Sequence, residues 1–122
     1  MRIVIVGGVA GGMSAAARAR RLSEDAEIVV LERGADVSFA NCGLPYHLGE
    51  EITERSSLVL QTPQSLRSSL ALDVRTGHEV TDVDAAARTV TVRSAEGMST
   101  LTYDALVLAP GAKAVRPPVT GL

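Results

Sequence analysis

Two groups of residues in this chain have types and spacings that could do chemistry. The first is Gly7-Gly8-Val9-Ala10-Gly11-Gly12, followed about twenty positions later by the acid Glu32. Glycines at a turn let the main chain come close to a pyrophosphate that any side chain would push away. An acid at that distance can accept hydrogen bonds from a ribose hydroxyl. The second group surrounds the single cysteine, Cys42, set between Asn41 and Gly43 just before a short segment with helical character. A cysteine ahead of a helix gains thiolate character from the helix's positive end. By residue type alone, a solitary cysteine reads equally well as a small inert hydrophobe.

Elements that would position the first group are legible on either side of it. Ile3-Val4-Ile5-Val6 is a continuous apolar run rich in β-branched residues, the pattern of a strand buried on both faces of a parallel sheet. Met13 to Leu22 is alanine-rich and helix-forming, and Ile28-Val29-Val30-Leu31 is a second apolar run ending in Glu32. Strand, glycine turn, helix, strand and terminal acid make one βαβ unit with a dinucleotide-binding pattern. Val9 stands where G-x-G-x-x-G has its middle glycine, and Gly8 and Gly11 are expected to compensate by relaxing the backbone on either side. An acid at the end of the second strand argues against a 2′-phosphorylated ribose. From this unit alone, both NAD and FAD fit.

Composition sets the bounds. A chain of 122 residues suffices for one domain, and at 46% hydrophobic it can bury a core. Only 2% of residues are aromatic, so aliphatic side chains and alanine must fill that core. A net charge of −2 gives no footprint for nucleic acid. No apolar run approaches membrane-spanning length, and one cysteine cannot form an internal disulfide. A cytoplasmic protein is the expectation. His47 and His78 have no partners at metal-ligand spacing, so no metal site is expected.

Three stretches carry a resemblance: Val6 to Ala16, Leu31-Glu32-Arg33, and Ser38-Phe39-Ala40-Asn41-Cys42-Gly43-Leu44-Pro45-Tyr46. Together they resemble the amino-terminal part of FAD-dependent pyridine nucleotide-disulfide oxidoreductases. The nearest branch is the single-cysteine one, with coenzyme A disulfide reductases, their rhodanese-fused relatives, and NADH oxidases and peroxidases. The resemblance implies a redox role for Cys42, which would meet the flavin. A single cysteine can reduce a disulfide only if the second sulfur, or an oxygen species, comes from outside the chain. The resemblance further implies that Ser14, Arg18 and Arg21, one stripe of the first helix, contact coenzyme A, with Ser38 and Asn41 as polar neighbours of the sulfur. Without it, Ser14, Arg18 and Arg21 are a solvated helix face, and Ser38 and Asn41 are ordinary loop polars. The branch often has a lysine where this chain has Leu70, a departure that weakens the coenzyme A reading.

Further along, Thr62-Pro63 opens a helix running to about Leu70, by hydroxyl cap and proline at the first helical position. Leu72 to Arg75 and His78 to Val83 are strand-like. Thr89 to Arg93 alternates as a half-exposed strand, turns at Ala95-Glu96-Gly97 and returns over Ser99 to Tyr103. This resembles the β-meander of the FAD-binding version of the fold, which favours FAD over NAD. By the same resemblance, Val80 would lie beside the adenine, and Ala109-Pro110-Gly111 would be a second FAD-contacting turn. The FAD set is then Gly7, Gly8, Val9, Ala10, Gly11, Gly12, Glu32, Arg33, Asn41, Cys42, Val80, Ala109, Pro110 and Gly111.

The expectation is an α/β, Rossmann-type FAD-binding domain over residues 1–112, with a parallel central sheet and a small antiparallel β-meander. Residues 113–122 read as a linker toward an absent NAD(P)H-binding domain, so the chain is expected to be an incomplete piece, inactive alone. The parent enzyme would use FAD and NAD(P)H, form a homodimer, and reduce coenzyme A disulfide, coenzyme A persulfide or polysulfide through Cys42. The alternatives are an NADH oxidase or peroxidase using a cysteine sulfenic acid, and a non-catalytic dinucleotide-binding module.

Overall fold

The computed structural model describes residues 1–121; Leu122, the last residue of the expected linker, lies outside them. A parallel sheet of four strands is built from β1 (Arg2–Val6), β2 (Glu27–Glu32), β3 (Asp73–Thr76) and β7 (Ala105–Leu108), in the order β3-β2-β1-β7. Register runs straight across it, with Val4 beside Val29 on one side and Leu106 on the other. Between β3 and β7 the chain forms a separate antiparallel meander of β4 (Glu79–Asp84), β5 (Thr89–Ser94) and β6 (Gly97–Thr102).

The two faces of the sheet explain why β1 and β2 read as unbroken apolar runs. Ile3, Ile5, Ile28 and Val30 point to one face, where α1 (Ala10–Leu22) and α3 (Pro63–Leu70) cover them with Met13, Ala16, Ala19, Leu66 and Leu70. Val4, Val29 and Leu31 point to the other, where Val90 and Val92 of the meander close over them. Each fully buried Val, Ile or Leu contributes about 1.5–3 kcal/mol relative to exposure. Alanines on the packed face of α1 let it lie close to the sheet.

The structure fixes local geometry at three places. Helix α1 begins at Ala10 rather than Met13, so Gly11 and Gly12 form its first turn. The strand-like stretches either side of Gly77 do not pair: β3 is the edge of the parallel sheet, and β4 opens the meander. Gly77, at φ +65°, makes that change of sheet, with its N–H on the Gly34 carbonyl at 3.0 Å. Residues 55–58 form a 3-10 turn that buries Leu58. Helix α3 matches expectation, its cap a reciprocal pair between Thr62 and Ser65.

Candidate functional site

The glycine bend joins β1 to α1 and is wedged against its neighbours. Gly7 sits at φ +98°, donates its N–H to the Leu31 carbonyl at 2.8 Å, and leaves no room for a Cβ against the Ala109 carbonyl. A Cβ on Gly12 would overlap the Gly7 carbonyl oxygen. These two glycines are required by close backbone approach. Val9, in the middle-glycine position, has φ −104° and ψ −144°, without the positive φ that calls for glycine. Neither Gly8 nor Gly11 has a positive φ. Gly8 is small because a Cβ there would come within 2.8 Å of Val37 and 3.1 Å of Glu32, while a Cβ on Gly11 would make only ordinary contact with Ala109.

Glu32 is already engaged by the backbone. One carboxylate oxygen accepts the Gly8 N–H at 2.7 Å, and the other accepts the Gly34 N–H at 2.7 Å. The Gly8 amide is thus committed. The first amides of α1, at Ala10, Gly11 and Gly12, lack intrahelical partners by position and point the helix's positive end outward. Each Glu32 oxygen keeps a second lone pair for a hydroxyl donor.

Three hollows join into one trough along the carboxyl ends of the parallel strands. The first, about 90 Å³, lies between Glu32, Arg33 and the stretch His78 to Val80. The second, about 300 Å³, lies over Gly7, Ala10 and Gly11 and is closed by Ala109, Pro110 and Gly111. It shares Gly7, Glu32, Arg33 and Pro110 with the first. The third, about 440 Å³, opens beside Cys42 and shares Val9, Ala10 and Asn41 with the second. Of the expected FAD set, only Gly8 and Gly12 do not line it; both are buried behind the bend.

Cys42 lies inside a 3-10 turn, Asn41–Gly43, just ahead of the short helix α2 (Leu44–Leu48). Its thiol is exposed. The turn is fixed to the bend by the Ser38 N–H on the Gly8 carbonyl at 2.8 Å, with Ser38 at φ +51°. It is fixed to residues 58–60 by Ala40 N–H to Leu58 carbonyl (2.7 Å), Leu60 N–H to Ser38 carbonyl (3.2 Å) and a bridge between Phe39 and Val59. The Arg55 guanidinium lies 5.9 Å above the Phe39 ring, a cation–π distance.

Ser14, Ser38 and Asn41 all line the hollow beside Cys42. Arg18 and Arg21 do not; they are exposed further along α1, where the Arg21 Nε donates to the Ala17 carbonyl at 3.3 Å. Arg20, off the stripe, is a structural tie, donating to the carbonyls of Leu70 and Ala71. Both histidines bond backbone carbonyls through Nδ1, His47 with Ile52 and His78 with Thr76. Among the described residues no three His, Cys, Asp or Glu side chains come together as a metal would need. Beside Val80, the Arg93 guanidinium bonds Glu79 and holds its carboxyl below the usual range, with Arg33 adding to the effect.

Met13, Phe39 and Leu60 also line the Cys42 hollow, and sequence reasoning assigned none of them a role. Met13 was reachable: with Val9, Ala10 and Ser14 it falls on one helical face. Leu60 had no signal, because the bridge between Phe39 and Val59 that places it is non-local.

A Rossmann-type sheet with a glycine bend at its carboxyl edge, and a trough that runs from that bend to a lone thiol, defines an α/β class of Rossmann type. Within that class, the chain belongs to the pyridine nucleotide-disulphide oxidoreductase family, which matches it across residues 1–122. It is 42% identical to the coenzyme A disulfide reductase of Staphylococcus epidermidis over 117 residues, 94% of this chain and 27% of that protein. The fold is similar to reduced Bacillus anthracis CoADR-RHD, at 47% identity and a TM-score of 0.91, covering 97% of this chain and 22% of that one. It is also similar to an NAD-dependent persulfide reductase from A. fulgidus, at 37% identity and a TM-score of 0.93, covering 98% and 22%. The chain spans about a quarter of the length of the curated relatives it matches.

Proposed function

We infer that residues 1–112 are the amino-terminal portion of an FAD-binding domain and that 113–122 lead toward an NAD(P)H-binding domain. The enzyme so built reduces coenzyme A disulfide, coenzyme A persulfide or polysulfide through Cys42. The observation that carries this reading is the single trough running from Val80 past Glu32 and the glycine bend to Asn41 and Cys42. An extended dinucleotide fits that shape, and the bend supplies the side-chain-free approach its pyrophosphate requires. Names of similar proteins, a coenzyme A disulfide reductase and a persulfide reductase, support the substrate class.

Each residue then has a task. Amides of Ala10 to Gly12 face the pyrophosphate, and Glu32 accepts from a ribose hydroxyl while holding Gly8 and Gly34. Gly7 and Gly12 keep the bend compact, and Val9 and Asn41 line the passage toward the thiol. Arg33 and Val80 flank the adenine end; Ala109, Pro110 and Gly111 close the trough. Cys42, as thiolate, attacks a substrate sulfur, forming a mixed disulfide and releasing one thiol. A bound flavin would supply the electron pair, drawn from NAD(P)H, that cleaves this mixed disulfide, so that the second thiol leaves and Cys42 returns to thiolate. Ser14, Ser38 and Asn41 hold the substrate beside the sulfur, and Arg18 and Arg21, beyond the hollow, meet its phosphates. The complete enzyme is cytoplasmic and a homodimer.

The test is what the protein carries and what its thiol does. The expected result is a complete enzyme that is yellow with FAD, reduces coenzyme A disulfide, and loses that activity in Cys42→Ser without losing flavin. The 122-residue chain is expected not to turn over NAD(P)H; sustained turnover by it would refute the proposed division of labour. Cys42→Ser with full disulfide reduction would refute the role of the thiol. A sulfenic acid trapped after peroxide, with no mixed disulfide formed, would shift the reading to an oxidase or peroxidase. A colourless protein with an inert thiol would leave a binding module.

A further inference from the structure

The hollow beside Cys42 has a wall that the roles above leave unused. Its polar side chains, Ser14, Ser38 and Asn41, are uncharged, and Met13, Phe39 and Leu60 give it an apolar side. No charged residue lines it among those described, and Arg18 and Arg21 stand outside. Leu60 is 65% exposed and belongs to neither core cluster, yet the Ser38 hydrogen bond and the Phe39–Val59 bridge hold it at the rim. A carboxylate pressed against such a wall loses water and finds no cation in the lining, the Arg55 guanidinium being stacked on the Phe39 ring and not itself lining the hollow, whereas a neutral amide or alkyl arm loses little. Methionine on the same wall adapts to irregular shapes.

We propose that Leu60, with Met13 and Phe39, determines specificity at Cys42 by admitting disulfides whose atoms next to the sulfur carry no charge. This rests on the reading of Cys42 as the thiol that meets a disulfide. In the exchange, the Cys42 thiolate attacks one sulfur of the incoming disulfide. A bond from Cys42 to that sulfur forms, the original S–S bond breaks, and the departing thiolate takes its proton from water. One disulfide replaces another, with no further oxidant or reductant.

Cys42 is the only cysteine, so all thiol reactivity of the chain is its own. The experiment compares its exchange rate with neutral dithiodipyridine against anionic dithiobis-nitrobenzoate, which bears a carboxylate on each ring. Each rate is divided by that of the same probe with N-acetylcysteine amide. The expected result is a preference of about tenfold for the neutral probe. Leu60→Lys brings the preference within about threefold, and Leu60→Gln, which adds no cation, falls between. Met98→Lys, 61% exposed on β6 and outside the hollow, adds the same charge and leaves the preference as in the wild type. Equal normalised rates in the wild type overturn the proposal. So does a Met98→Lys effect as large as that of Leu60→Lys, which would make the preference one of overall charge. A thiol that reacts with both probes alike removes only the wall's role, whereas one that reacts with neither removes the redox reading as well.

Discussion

Replacing Gly12 or Gly11 by alanine separates the geometry of the bend from its binding surface. Both residues lie in the first turn of α1, so each substitution gains about 0.5–1 kcal/mol of helix propensity. At Gly11 the new methyl meets only the Ala109 Cβ at 3.4 Å, so the gain is kept. At Gly12 it overlaps the Gly7 carbonyl oxygen and lies 2.9 Å from the Gly7 carbonyl carbon and 3.2 Å from Ile5 Cγ2. Backbone must move, and overpacking of that kind costs about 1–3 kcal/mol. Moving Gly7 also loosens its hydrogen bond to Leu31, about 1 kcal/mol more. The net expectation is that Gly12→Ala destabilises by about 2–3 kcal/mol and Gly11→Ala stabilises by up to about 1 kcal/mol. Urea unfolding followed by far-ultraviolet circular dichroism reads the difference, and the melting temperatures should part by roughly 10 °C. Because Gly11 lines the trough and Gly12 does not, Gly11→Ala should weaken FAD binding while keeping or raising stability. Equal urea midpoints for the two variants would refute the close-approach argument.

Glu32→Gln leaves one acceptor oxygen for two amide donors, and the expected loss is about 1–2 kcal/mol of stability by urea unfolding, with weaker FAD retention in the complete enzyme. Glu79 has a folded-state pKa below its unfolded one, through its hydrogen bond to Arg93. Its contribution to stability is therefore present above the unfolded pKa and lost as pH falls through the folded one. A carboxyl titration by nuclear magnetic resonance should show Glu79 ionising at lower pH than in Arg93→Gln, and identical midpoints would count against the pair. Leu58→Ala removes a fully buried side chain packed under Gly43, so a loss of about 2–4 kcal/mol and a less ordered Cys42 turn are expected. Hydrogen exchange at the Ala40 amide, bonded to the Leu58 carbonyl, should quicken.

What the sequence disclosed follows the range of the interactions involved. The βαβ unit was legible because strand periodicity, the glycine bend and Glu32 are local signals in one stretch of chain. Thr62 capping α3 was legible for the same reason. Positions that depend on contact across the chain were not. Nothing near Gly8 announces that its lack of a side chain serves Val37 and Glu32 rather than a positive φ. Leu60 reads as an unremarkable exposed leucine until Phe39 and Val59 pair. Arg18 and Arg21 share a stripe with Ser14, but the helix axis carries them away from the hollow that Ser14 lines, and periodicity cannot report where a hollow ends.

Gly8 ties the two chemically distinct groups of residues to each other. Its N–H is held by Glu32, its carbonyl receives the Ser38 N–H, and its α-carbon lies under Val37. Glu32 and the segment that carries the thiol are therefore bonded to the two sides of one residue, through the peptide units that precede and follow its α-carbon. Glu32 reaches on to Gly34, and Ser38 reaches on to Leu60, so the same chain of hydrogen bonds ends at Gly34 in one direction and at the rim of the Cys42 hollow in the other. Such an arrangement fixes the spacing between the start of α1 and Cys42 through the backbone, without any side chain spanning the trough. A larger residue at position 8 would separate Glu32 from Val37 and disturb both ends together. The pairing of a small residue there with an acid at position 32 is thus a constraint of packing as much as of ligand chemistry.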